Sequence, residues 1–258
     1  MPTVRRSGRG VSAGQKQEKG SQHSRNMGAE EVVASLRRLA NKKTLGGMAR
    51  YGIPSDKALG VPVGKIRDLG KRLGRNHELA AALWETDIYE ARMLCAFLDE
   101  PALVTPAQMD HWCEDFDSWA ICDTVCFHLF DRTPHAFGKV KQWTRRREEF
   151  VKRGAFALLA CLALHDKVTD DEPFAKCLPL IERAATDERN FVKKGVSWAL
   201  RGVGRRSPGL HAATAAMAER LAESTNAVSR WVGKDVLRDI TRPAVIRRFA
   251  AKRRVAKG

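Results

Sequence analysis

Phe150-Val151-Lys152-Arg153-Gly154-Ala155 is closely repeated 41 residues later as Phe191-Val192-Lys193-Lys194-Gly195-Val196. A weaker echo, Val228-Ser229-Arg230-Trp231-Val232-Gly233, follows at a similar interval, and Tyr89-Glu90-Ala91-Arg92 suits an earlier copy. A period near 40 is that of HEAT or armadillo-like units, helix pairs that bury their apolar sides only against neighbouring pairs. The competing reading is an irregular helical bundle with a coincidental match.

Outward from these copies the pattern stays helical. Expected helices cover about 63–73, 77–86, 88–98, 106–114, 118–130, 135–145, 147–164, 173–187, 190–205, 209–223, 227–239 and 243–255. Phe174, Cys177, Leu178, Ile181, Ala184 and Ala185 form an i, i+3, i+4 stripe, with Pro179 expected to kink or shorten it. Val32, Leu36 and Leu39 mark a first helical segment that Gly46-Gly47 is expected to end, before a Gly/Pro-containing connector through Val61-Pro62. Period-two alternation is almost absent. The expectation is an all-α solenoid of antiparallel helix pairs, curved, with a concave basic face.

Equivalent positions of a solenoid line up along one face. Arg92, Arg153, Lys194 and Arg230 occupy the same place in successive second helices, so they are expected to form a basic stripe spaced by roughly 10 Å helix packing distances. Lys152 and Lys193 of the repeated motif join them as expected DNA contacts. Taken one at a time, each cation merely solvates a helix end.

The charge supports a polyanion partner. The chain has 258 residues and a formal net charge of +16. Residues 1–26 carry a net +5 and residues 241–258 a net +7, leaving +4 for the body between them. Cations placed on phosphates release condensed counterions, which favours nucleic acid; tails that aid solubility or touch acidic lipid are the alternative. Residues 1–26 read as a disordered basic arm, 27–240 as the repeat domain and 241–258 as a basic helix or tail. Deleting the arm is expected to leave folding intact. No apolar run approaches a membrane span, and the N-terminus has no apolar core of a secretion signal, so a cytoplasmic, nucleoid-associated location is expected. The six cysteines lie in apolar stretches without a C-x-x-C pair, as buried reduced thiols do. Cys122, Cys126 and nearby His128 lack a fourth ligand at zinc-like spacing, so neither metal nor cofactor is expected.

Two constellations stand out. In Ser118-Trp119-Ala120-Ile121-Cys122-Asp123, Asp117 or Ser118 suits an N-cap, and Trp119 and Asp123 share a helix face. Asp123 falls near a place where other second helices carry a cation. An acid there binds phosphate poorly but stabilises positive charge developing beside a phosphate; on its own it more often reads as a solvated surface group. In Ser197-Trp198-Ala199-Leu200-Arg201, Trp198 and Arg201 share a face. Such a pair stacks on a sugar or base while the guanidinium holds phosphate, although Trp198 taken alone reads sooner as core.

Ser118-Trp119-x-x-x-Asp123, Phe150-Val151-Lys152-Arg153 and the run from Phe191 to Arg201 resemble motifs of the AlkD-like DNA alkylation repair family, and Gly52-Ile53-Pro54 resembles its N-terminal region. The similarity covers about residues 30–240. It implies a curved stack of HEAT-like repeats cradling duplex DNA, and a monomeric, monofunctional glycosylase releasing cationic N3- or N7-alkylated purines. By motif position, Asp123 is then the catalytic acid residue, Trp119 and Trp198 flank the lesion deoxyribose, and Arg153 holds the adjacent phosphate. The chain departs from the family at Ala120, where members commonly carry Asp. It departs again at Asn41-Lys42-Lys43-Thr44-Leu45, which offers no aromatic, Tyr51 being nearest. Relatives that bind distorted or branched DNA without excising bases, and HEAT-like protein-interaction scaffolds, are the alternatives.

Overall fold

The computed structural model describes residues 27–255, with side chains to Phe249; the expected basic arm at 1–26 and the end of the basic tail lie outside the described residues. Every regular element among the described residues is helical. In chain order the α-helices are α1 (Ala29–Arg38), α2 (Lys42–Met48), α3 (Val63–Leu73), α4 (His77–Trp84) and α5 (Tyr89–Leu98). Next come α6 (Pro106–Glu114), α7 (Trp119–His128), α8 (Ala136–Trp143), α9 (Glu149–His165) and α10 (Glu172–Ala175). The chain continues through α11 (Leu178–Ala184), α12 (Asn190–Gly204), α13 (Pro208–Ala222), α14 (Ala227–Ile240) and α15 (Pro243–Val255).

Helices α3, α5, α7, α9, α12 and α14 each pack on the next and form one inner row. The other member of each pair lies behind it: α4 against α5, α8 against α9, α11 against α12 and α13 against α14. Each helix thus buries its apolar stripe against its pair-mate and the neighbouring pair, which is the solenoid that the 41-residue echo implies.

Side-chain caps set many of the helix starts. Asn41, Asn76, Thr105, Ser118, Ser207 and Asn226 each accept from a backbone N–H in the first turn of the following helix. One expectation fails locally. Gly46-Gly47 does not end a helix: the first segment stops at Arg38, and the Asn41 cap starts α2, which runs through both glycines. Each glycine costs about 1 kcal/mol relative to alanine, a penalty that capping and packing of Met48 offset. Pro179 shortens its helix rather than kinking it: it sits in the first turn of α11, after a break that leaves α10 as a single turn. A first-turn proline gives up no helical hydrogen bond.

Three of the six tryptophans fill the space between rows. Trp84 and Trp112 stack at 4.1 Å, and Trp143 packs near Phe130. Two of their indole N–H groups find carboxylates: Trp84 donates to Asp115 and Trp143 to Asp110, both at 2.8 Å. Close helix approach depends on Gly233, where a Cβ would stand 2.3 Å from the Ala222 backbone nitrogen, so α13 and α14 nearly touch backbone to backbone. The loop entering α3 is held by Glu90, a fully buried carboxylate that accepts from the N–H groups of Leu59, Gly60 and Val61 at 2.8, 2.7 and 3.1 Å. All six cysteines are free and buried.

Candidate nucleic-acid interface

The inner row opens onto a cavity of about 910 Å³ built from α7, α9, α12 and α14, with the turn at Arg50-Tyr51-Gly52 along one edge. Trp119 and Asp123 reach it from α7, Arg153 from α9, Lys194, Trp198 and Arg201 from α12, and Trp231 from α14. The i, i+4 spacing of Trp119 and Asp123 does put both on the cavity side. Trp198 is half-buried at the wall rather than lost in the core. The four residues read as catalytic therefore come together around one cavity.

Asp123 and Arg153 form a two-pronged ion pair. Arg153 Nε donates to Asp123 Oδ1 at 3.0 Å and Nη2 donates to Oδ2 at 2.7 Å, while Nη1 donates to the Phe191 carbonyl at 2.7 Å. Fork-to-carboxylate geometry of this kind fixes both partners. Burial pushes the Asp123 carboxyl above its ordinary value, and Arg153 pulls against that rise. The Asp123 side chain keeps 21% of its surface exposed, towards the cavity, whereas that of Arg153 keeps 7%. Arg153 thus anchors Asp123, and its guanidinium faces protein on three sides; the expectation that it holds a phosphate directly does not fit this burial.

The turn at residues 49–52 closes over α7. Trp119 Nε1 donates to the Tyr51 carbonyl at 2.8 Å, and Gly52, at φ 66°, lies so near the Phe191 ring that a Cβ would stand 3.1 Å from it. Tyr51 itself is 63% exposed, which brings an aromatic to the cavity edge by a route that the Asn41–Leu45 segment does not supply.

The expected four-cation stripe is not formed. Arg92 is buried, its guanidinium 5.1 Å over the Trp84 ring and paired with Asp87 at 2.9 Å and Asp115 at 3.3 Å. It braces the space between rows and lines no part of the cavity. Arg230 turns away and donates to the Ser224 and Thr225 carbonyls at 2.7 and 3.1 Å. The alternation of buried and open sites matches Ser229-Arg230-Trp231 to Val192-Lys193-Lys194, so Trp231, not Arg230, shares the place of Lys194. Lys152 pairs with Asp187 at 3.4 Å, and Lys193 lies 4.8 Å over the Trp231 ring; neither lines the cavity. Of the expected DNA-contact residues, Lys194 and Arg201 do.

Sequence reasoning missed Trp231, Asp235 and Asp239. Asp235 accepts from Ser197 Oγ at 2.6 Å and lies 3.8 Å from Arg201, while Asp239 pairs with Arg205 at 2.6 Å. Asp123 is therefore not the sole acid of the hollow. Even so, seven cations line the cavity against three carboxylates, and Arg50, Lys194 and Arg248 have no ion-pair partner among the described residues. The surplus favours a polyanion. The missed acids follow the α14 register, which the weak third copy of the motif left ambiguous.

A solenoid of helix pairs whose inner row carries a cationic hollow, lined also by a paired carboxylate and indoles, defines a HEAT-like repeat architecture suited to DNA. The chain belongs to the DNA alkylation repair enzyme family, whose model matches residues 32–238. A solved structure described as belonging to "a new family of proteins related to the HEAT-like repeat DNA glycosylases with affinity for branched DNA structures" is similar, with a TM-score of 0.68 at 17% identity. That match covers 82% of this chain and 95% of that one. A designed armadillo repeat protein matches at 12% identity and a TM-score of 0.37, covering 86% of this chain and 99% of its own. A search of curated proteins found no match. Among the described residues, no helix is long and apolar enough to cross a membrane.

Proposed function

We propose that this protein is a DNA glycosylase that hydrolyses the N-glycosidic bond of cationic N3- or N7-alkylated purines in duplex DNA. One observation carries the reading: the Asp123 carboxylate, held by Arg153, opens onto a cationic cavity that Trp119 and Trp198 also line. An alkylated purine already bears a positive charge and departs as a neutral base, taking the electrons of the bond to C1′. No general acid is needed. The deoxyribose left behind is oxocarbenium-like, and a fixed carboxylate with indole faces stabilises that charge. Water then adds at C1′ and gives up a proton, and Asp123 is placed to orient it. Lys194 and Arg201 take the phosphates flanking the lesion, while Arg153 positions the carboxylate.

The test is release of free 7-methylguanine from methylated duplex under single-turnover conditions. Asp123→Asn is expected to lower the rate by roughly 10²–10³-fold, the usual cost of removing one charge-stabilising group. DNA-bound wild-type protein that releases no base would sink the reading. A second reading, a non-excising binder of distorted or branched DNA, draws on the same ion pair, since Arg153 neutralises part of the charge that Asp123 offers a cation. It predicts no base release and tighter binding to branched than to linear duplex. A protein-interaction scaffold instead predicts weak duplex affinity that Arg153→Ala with Lys194→Ala leaves unchanged, and strong binding with a steep salt slope would eliminate it.

A further inference from the structure

The inner row carries a second hollow, of about 310 Å³, at the ends of α3, α5 and α7 that follow Ile66, Leu94 and Val125. Its charged lining is Arg67, Lys71, Arg75 and Arg132, with His128 alongside and no carboxylate. The absence of lining acids separates it from the Asp123 cavity, where ion pairs neutralise part of the charge. Arg75 donates to the Asp99 carbonyl, and Arg132 Nε lies 4.0 Å from Asp131. Arg67 and Lys71 are exposed and have no hydrogen-bond or ion-pair partner among the described residues. They stand i, i+4 on α3, so they share a face and repel, a small cost that a bound anion converts into attraction.

The hollow is built rather than incidental. Gly70, between the two cations, lets α3 approach α5 until a Cβ would stand only 2.9 Å from Phe97 Cβ. Phe97 in turn packs its ring 4.7 Å from His128. Burial, and then Arg132 and Arg67, push the His128 imidazole down to about 4, so at neutral pH it offers a ring N–H rather than a charge.

We infer that this hollow binds a phosphodiester of the duplex lying along the inner row, a second anchoring point separate from the cavity around Asp123. The inference rests on the inner row taking DNA, not on base excision. Helix α7 contributes to both places, Asp123 to one and His128 to the other. Three guanidinium groups and an ammonium around a small hollow match the chemistry of a phosphate oxygen cluster.

The experiment measures affinity for unmodified duplex across a salt series by fluorescence anisotropy. The variants are Arg67→Gln with Lys71→Gln, Arg67→Glu with Lys71→Glu, and a charge-matched control, Lys65→Glu with Arg72→Glu, on the same helix outside the hollow. The Gln pair is expected to weaken binding about tenfold near 0.1 M salt and to flatten the salt slope by about 1 to 2, as loss of one or two phosphate contacts requires. The Glu pair is expected to weaken binding at least threefold more than its control. Equal losses in the two Glu pairs mean net charge alone matters, and unchanged affinity in the Gln pair means no contact; either overturns the inference. Inorganic phosphate, followed through the His128 ring resonances, separates the two sources of the anion. If it binds wild type but not the Gln pair, and duplex affinity is the same in both, the hollow serves a free anion and the DNA contact is overturned. Thermal melts of the Gln pair check folding. Base release at saturating DNA is expected to stay at the wild-type rate, and the affinity results stand even if wild type releases no base.

Discussion

Arg153 turns its guanidinium inward, two nitrogens on Asp123 and one on the Phe191 carbonyl. A side chain so placed is a positioning residue, and its removal leaves a partly buried carboxylate without a counter-charge. Arg153→Ala is expected to cost about 3 kcal/mol of stability, in the range for breaking a buried pair, read from urea unfolding. Arg153→Lys is expected to recover only part of this, because an ammonium cannot bridge both carboxylate oxygens as a fork does. Duplex affinity should change less than threefold in either variant, since the group does not face solvent; a tenfold loss with unchanged stability would mean that Arg153 reaches phosphate after all. The pairing of Asp123 with Arg153 was only partly legible in sequence. The resemblance named both residues and periodicity put both on one face, but a 30-residue separation says nothing about which guanidinium meets which carboxylate. Arg92 shows the limit most clearly, because its place in the motif looked like that of Arg153 while Asp87, Asp115 and Trp84 draw it inward.

At the level of elements, helix existence was readable almost everywhere from i, i+3, i+4 apolar spacing and polar caps, whereas breaks depended on local competition. Gly46-Gly47 stayed helical because Asn41 starts α2, and Pro179 began a helix rather than bending one. The junction between α11 and α12 offers an experiment. Asp187 accepts from Arg189 Nη2 at 2.6 Å and from Lys152 on α9 at 3.4 Å, and the Arg189 contact, with further hydrogen bonds, outweighs the opposing effect of burial and leaves its carboxyl below the ordinary value. A depressed carboxyl adds stability above its unfolded titration, and that contribution disappears as pH falls through the folded one. Asp187→Asn is therefore expected to cost about 1 kcal/mol at neutral pH, allowing for solvent screening, with wild type and variant converging below pH 3.8, the ordinary carboxyl value. Chemical denaturation at several pH values checks this, and a gap that persists undiminished in acid would contradict it.

For the whole molecule, the charge that matters is the charge the stack leaves unpaired. Lys194 and Arg248 face the cavity without an ion-pair partner among the described residues, so Lys194→Ala with Arg248→Ala is expected to flatten the salt slope of duplex binding by about 1 to 2 and leave the melting temperature within a few degrees. An unchanged slope would place the DNA elsewhere. The amino-acid sequence by itself determined that the chain is helical, that its helices pair at a period near 40 and that its net charge favours a polyanion. These depend on local spacing and on total charge, which survive without knowledge of neighbours. Only the tertiary structure decided which cations face outward and that Asp235 and Asp239 join Asp123 in the hollow. The reason is physical: a one-residue shift in a helix turns a side chain by about 100°, so facing is set by how each helix seats against the next, a property of the packed stack and not of any single segment.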